Sequence, residues 1–293
     1  AGLVYECRAT ATAGNVNGGG FKTGASGTDY SQQDAAQWTA TNLTCALGST
    51  NVVSSTSTFT SAAVGNVMHI TAGTNMTAGW YEITAYVNAN TLTLDRTPSP
   101  SLAGSAGTFY IGGAMSLNST LDDDFFEAMV AGNKIWLKNG SFTLGENVGI
   151  AVAGSASSPI IIEGYNTTRG DTPGGANRPS IACGAATSTL GNNWEIYNAI
   201  ITSTTSNGLD LGNNGKAVNC KSTNSSTSAG RYALLAVGND VIFINCEGIS
   251  YRGRACSIGA VNVSVIGCYL HDSDIGISGS TGGYDFIINN IIE

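Results

Sequence analysis

In the C-terminal half, short apolar runs alternate with clusters of Gly, Asn and Ser. The segments WEIYNAIITS (from Trp194), KAVNCKST (from Lys216), VIFINCEGIS (from Val241), NVSVIGCYLHDS (from Asn262) and YDFIINNIIE (from Tyr284) stack on one another. Their shared column reads Ala199, Cys220, Cys246, Cys268, Asn290, at steps of 21, 26, 22 and 22 residues. Two positions earlier it reads Tyr197, Val218, Ile244, Ile266, Ile288. A second run recurs in each unit: GLDLG near Leu209, ALLAVG near Leu235, ACSIGA near Ser257 and IGISG near Ile277. A period near 22 built from short β runs predicts a β-solenoid, in which each coil pairs with the next at about 4.8 Å and like residues stack on like. The expected inward ladder is Val218, Cys220, Ile244, Cys246, Ile266, Cys268, Ile288 and Asn290. A leucine-rich repeat has a similar period, but its LxxLxLxxN frame is absent.

Upstream, Leu121, Phe125 and Met129 form an apolar stripe at helical spacing. Ser119 or Thr120 offers an N-cap, and Asp122, Asp123 and Asp124 fall in the first turn, where the helix dipole favours negative charge. Gly132-Asn133 supplies a stop. A short helix over about 120–131 is therefore expected to cap a solenoid occupying residues 114–293. Residues 1–113 lack the repeat. There VMHIT, GWYEITAYV and TLTLD (Val67 to Asp95) read as three strands, the last two joined at Asn88-Ala89-Asn90, with Thr97-Pro98-Ser99-Pro100 leading into a Gly/Ser linker. A small antiparallel module is expected in front of the solenoid.

Composition agrees. Of 293 residues 39 are Gly and only 11% are charged, while 42% are hydrophobic. That excludes a disordered chain, and the excess of Gly, Thr, Ser and Asn disfavours helix. The net charge of −8 with no basic stripe argues against nucleic-acid binding. No apolar run is long enough to span a membrane as a helix. Seven cysteines with no CxxC, and only two histidines, do not suggest a zinc site. No metal or cofactor is expected.

The coils VIFINCEGIS and VIGCYLHDSDIGIS, with the opening strand AGNKIWLKNGSFTL (Ala131 to Leu144), resemble those of right-handed parallel β-helix proteins of the pectate-lyase-like superfamily. FTSAAVGNVMHITAGTNMTAGWYEITAYVNANTLTLDRTP resembles a module at the front of phage tail spikes and fibres. The resemblance implies an all-β, right-handed parallel β-helix. It also implies a virion-surface or extracellular location, other virion proteins as partners through residues 1–113, a cell-surface glycan as possible ligand, and trimers as a family habit. IINNIIE stops partway through a coil, so the solenoid is expected to continue beyond Glu293.

Candidate chemistry is sparse. His271, Asp272 and Asp274 could serve acid–base work on a glycoside, although they fall where each coil turns. Arg252 and Arg254, with Tyr251, could contact a ligand, and with Lys221 and Arg231 could face a polyuronate. No acidic column stands beside them as the superfamily's lyases require, so no catalytic residue is carried over. Calcium at Asp122, Asp123 and Asp124 is less economical than helix-end charge. Trp80, Tyr81, Trp136, Trp194 and Tyr251 could stack on sugars, with core packing the better reading of the tryptophans, and GGGFKTG (Gly18 to Gly24) reads as a turn, not a phosphate loop. The leading expectation is a structural or adhesive virion component. The alternatives are a polysaccharide-degrading enzyme and a bacterial surface adhesin.

Overall fold

A computed structural model describes residues 2–119, 122–145, 148–183, 188–279 and 285–293. It is nearly all β and divides into two compact units, Ala1–Ser116 and Leu117–Glu293.

In the first unit, six antiparallel strands close a barrel: Trp38–Cys45, Asn51–Ser54, Val67–Thr74, Gly79–Asn88, Thr91–Leu94 and Gly104–Ile111. Its core holds Leu43, Val52, Phe59, Met68, Ile70, Ile83, Leu92 and Phe109. The three expected strands are present, and Asn88 Oδ1 accepts the Asn90 N–H at 2.9 Å to shape the turn between the last two. The expected linker is a strand instead. Gly104–Ile111 pairs with both Trp38–Cys45 and Val67–Thr74, and so closes the barrel. Its glycines serve close packing: a Cβ on Gly107 would lie 2.5 Å from Met76 Sδ and 2.9 Å from Leu43 Cβ. GGGFKTG is also more than a turn, because Gly20–Lys22 pairs antiparallel with Leu3–Cys7.

The second unit is a β-solenoid with three parallel sheets. The first contains Lys134–Lys138, Ile160–Tyr165, Trp194–Tyr197, Lys216–Val218, Ile242–Ile244, Ser264–Ile266 and Phe286–Ile288. The second runs from Ser141–Thr143 through Ser180–Ala182, Ile200–Ser203, Lys221–Asn224, Glu247–Ser250 and Tyr269–His271 to Ile291–Ile292. The third includes Ser188–Leu190, Leu209–Leu211, Tyr232–Ala236, Arg254–Ile258 and Ile275–Gly279. Pairing stacks Tyr197, Val218, Ile244, Ile266 and Ile288 in register, the alignment the sequence repeat implies.

The direction of part of that column differs from expectation. The inward residues of the first sheet are Ile135, Ile162, Ile196, Ala217, Phe243 and Val265, all buried. Val218, Ile244 and Ile266 occupy the opposite face and are half-buried, while Ile288 is exposed. Cys220, Cys246 and Cys268 do point inward and are buried. The reason is the residue between them. Asn219 and Asn245 have φ of 53° and 51°, and Gly267 has 64°, so the chain turns a corner and simple alternation fails. Asn290, below the cysteines, donates to Val265 O at 2.9 Å and accepts the Cys268 N–H at 2.7 Å, so it serves the turn as a polar brace.

The helix is shorter than expected, Asp122–Glu127. Its continuation unwinds where Asn133 Oδ1 accepts the Val130 N–H at 2.9 Å. Phe125, Phe126 and Met129 are nonetheless buried, with Phe126 edge-on to Trp194 at 6.3 Å. Thr120 and Leu121 lie outside the described residues. Asp122 works as a receptor for backbone donors, accepting N–H groups from Ser119 and, at 2.8 Å, from Gly145.

Candidate functional site

On the outer face of the second sheet, Lys221, Glu247 and Tyr269 stack in register, with His271 two residues beyond Tyr269. Glu247 Oε1 accepts from Lys221 Nζ at 2.7 Å and lies 3.2 Å from His271 Nε2. The other ring nitrogen, Nδ1, lies 2.8 Å from Asp272 Oδ2. Tyr269 stacks on the imidazole at 4.0 Å and donates its hydroxyl to Glu293 Oε2 at 2.9 Å. Burial raises the Glu247 pKa, but hydrogen bonds and charge from Lys221 and His271 outweigh it, and the carboxyl ends below its ordinary value. The result is a polar strip crossing four coils, with an imidazole held between two carboxylates.

Of the sequence candidates, His271 and Asp272 come together, while Asp274 is exposed and takes no part in the strip. Glu247 was missed. Its signal was available: it follows a ladder cysteine, as Lys221 and Tyr269 do, so the same alignment places all three in one column.

The proposed basic face does not assemble. Lys221 is paired with Glu247 on the second sheet. Arg254 opens a third-sheet strand, where it donates to the Tyr232 hydroxyl at 3.3 Å and lies over that ring at 5.5 Å. Arg252 and Tyr251 stand exposed on the intervening turn, Tyr251 at 67%. Trp80, Tyr81 and Trp194 are buried, Trp194 donating to Val152 O at 2.8 Å. Trp136 is different: half-buried on the outer first sheet, it has Lys134 Nζ 3.7 Å above its ring and Tyr165 edge-on at 6.0 Å.

The interior offers little reactive chemistry. All seven cysteines are free and buried. Hydrogen bonding to Cys220 and Cys268, with burial added, pushes the Cys246 thiol up and draws its two neighbours down, and it is the burial of all three that suits a packing role. Among the described residues, no group of three or more His, Cys, Asp and Glu side chains could hold a metal ion. No helix among them is long and apolar enough to cross a membrane.

No family model matches the sequence, and no curated protein matches it. Among solved structures, the chain is similar to the tailspike protein gp49 from Pseudomonas phage LKA1, at 15% identity and a TM-score of 0.25. The match covers 88% of this chain and 46% of that one, so the chain spans under half the length of this neighbour.

Proposed function

We propose that the protein is a structural and adhesive component of a phage particle, its solenoid presenting a binding surface for host cell-surface glycans. The observation that carries this reading is the outer strip of the second sheet. There an exposed tyrosine stacked on an imidazole is flanked by Lys221, Glu247, Asp272 and Glu293. Sugars take apolar contact from aromatic faces and hydrogen bonds from carboxylates and amines, and a repeated scaffold multiplies weak contacts into avidity. In this reading residues 1–113 contact other virion proteins, the solenoid works at the virion surface or extracellularly, and the particle carries several copies.

The test is binding of the full chain to an array of purified bacterial surface polysaccharides. Tyr269→Ala should weaken binding about tenfold or more, while Tyr251→Ala on the neighbouring turn should change it little. Retention of full affinity by Tyr269→Ala removes the strip from the binding surface.

The Glu247–His271–Asp272 chain favours one second reading, a polysaccharide-cleaving enzyme, since an imidazole between carboxylates is equipped for proton transfer. Release of new sugar ends from the same polysaccharides, abolished by His271→Ala, would replace adhesion with catalysis.

A further inference from the structure

Asp210 is central to the third-sheet strand Leu209–Leu211, on the face opposite the inward Leu209 and Leu211, yet only 4% exposed. Asn207, on the corner leading into that strand, donates Nδ2–H to Asp210 Oδ2 at 3.1 Å. The other oxygen of each side chain, Asp210 Oδ1 and Asn207 Oδ1, is shut off from solvent and has no hydrogen-bond partner among the described residues. Each side chain of this hydrogen-bonded pair therefore keeps one buried acceptor with no donor among the described residues. Leaving a buried acceptor without a donor is unfavourable, because its hydration is lost and not replaced.

Among the described residues no neighbour supplies the missing donor. In register beside Asp210 stand Thr189, whose hydroxyl makes no hydrogen bond to the carboxyl, and Leu235, whose side chain has no donor. The charged group acting on it is Arg231, on the approach to the next strand. The backbone of the corner is already committed, with Gly208 N–H to Tyr232 O at 2.7 Å, Leu209 N–H to Ser222 Oγ at 3.1 Å, and Asn224 Nδ2 to Ser206 O.

We propose that Asp210 is a proton-binding site: as a carboxylic acid its Oδ1–H donates to Asn207 Oδ1 while Asn207 Nδ2–H donates to Oδ2, closing a cyclic acid–amide pair. Release of that proton to water leaves two acceptors face to face and loosens the corner at residues 204–208. The electrostatics agree: burial pushes the carboxyl up to about 6 against the lowering effects of Asn207 and Arg231. The corner becomes a pH-sensitive latch on the outside of the third sheet, tighter in mildly acidic surroundings.

The pair can be read directly by following the Asp210 side-chain carboxyl carbon by NMR in the full chain, assigned by its loss in Asp210→Asn. A midpoint near 6 is expected, and a midpoint at the ordinary Asp value of about 4 overturns the proposal. Asp210→Asn also mimics the protonated acid, because its amide N–H replaces the acid O–H. Backbone hydrogen-exchange protection at residues 204–208, corrected for intrinsic rates, should fall about tenfold in the wild type between about pH 5 and about pH 7.5. In Asp210→Asn it should stay constant. An equal fall in both proteins overturns the latch. If Asp210→Asn does not fold, the carboxyl-carbon titration, assigned instead through backbone correlations in the wild type, decides alone.

Discussion

Phe243 and Ile244 are consecutive and both apolar, yet the first is fully buried and the second half-exposed on the opposite face. Phe243→Ala should cost about 3–5 kcal/mol by urea unfolding, whereas Ile244→Ala should cost under about 1.5 kcal/mol. Equal losses would put Ile244 back in the interior ladder. Two carboxylates give pH responses of opposite sign. Glu247 has its pKa lowered in the folded state, so its contribution is present above its ordinary value of 4.5 and is lost as pH falls through the folded value. Glu247→Gln should therefore flatten the acid limb of the stability curve. Asp210, raised to about 6, binds its proton more tightly when folded, so stability falls as pH rises from its ordinary value of 3.8 through about 6. Asp210→Asn should raise the melting temperature near pH 7.5 and do little near pH 4.

The turns are where the elements gain their register. Asn198, Asn219, Asn245 and Asn289 repeat a left-handed backbone at the corner between the first two sheets, and Gly267 takes the same role in one coil. Asn tolerates this conformation better than most residues, and Gly adopts it freely. A side chain on Gly267 would meet Asn245 Oδ1 at 2.6 Å and would have to displace that amide. Asn245→Gly should thus cost under about 1 kcal/mol, and Asn245→Val about 1–3 kcal/mol, both read from thermal unfolding. A second column, Asn192, Asn213 and Asn239, passes each amide oxygen to a backbone N–H of the next coil at 2.9, 2.8 and 3.2 Å. The abundance of Asn is in this sense a structural specification. The barrel strand Gly104–Ile111 shows the converse. Its glycines read as a linker because the neighbours that demand them, Met76 and Leu43, are distant in sequence.

At the scale of the whole chain, seven buried thiols make one clear expectation. The native protein should resist thiol reagents and expose seven reactive groups per chain on denaturation, and fewer than seven would mean a disulfide has formed. The barrel has its own core and no open strand edge, which is the condition for independent stability. Residues 2–116 produced alone should melt cooperatively, and a non-cooperative transition would show that the barrel depends on the rest of the chain.

The solenoid class, its period, its strand register and the inward cysteine stack were legible in the sequence, because stacking like residues at a fixed repeat leaves a periodic trace. So were three of the barrel strands and, of the cap, the buried Phe125 and Met129. Which face Val218, Ile244 and Ile266 adopt was not, since one left-handed residue per corner shifts the phase of alternation without altering composition. The column of Lys221 and Glu247 follows from the repeat, but the reach of His271 back to Glu247 across coils does not. The burial of Asp210 on an outward-facing position likewise appears only in the folded chain. Periodicity is local information written once per coil; burial and charge pairing are sums over neighbours that only the folded chain assembles.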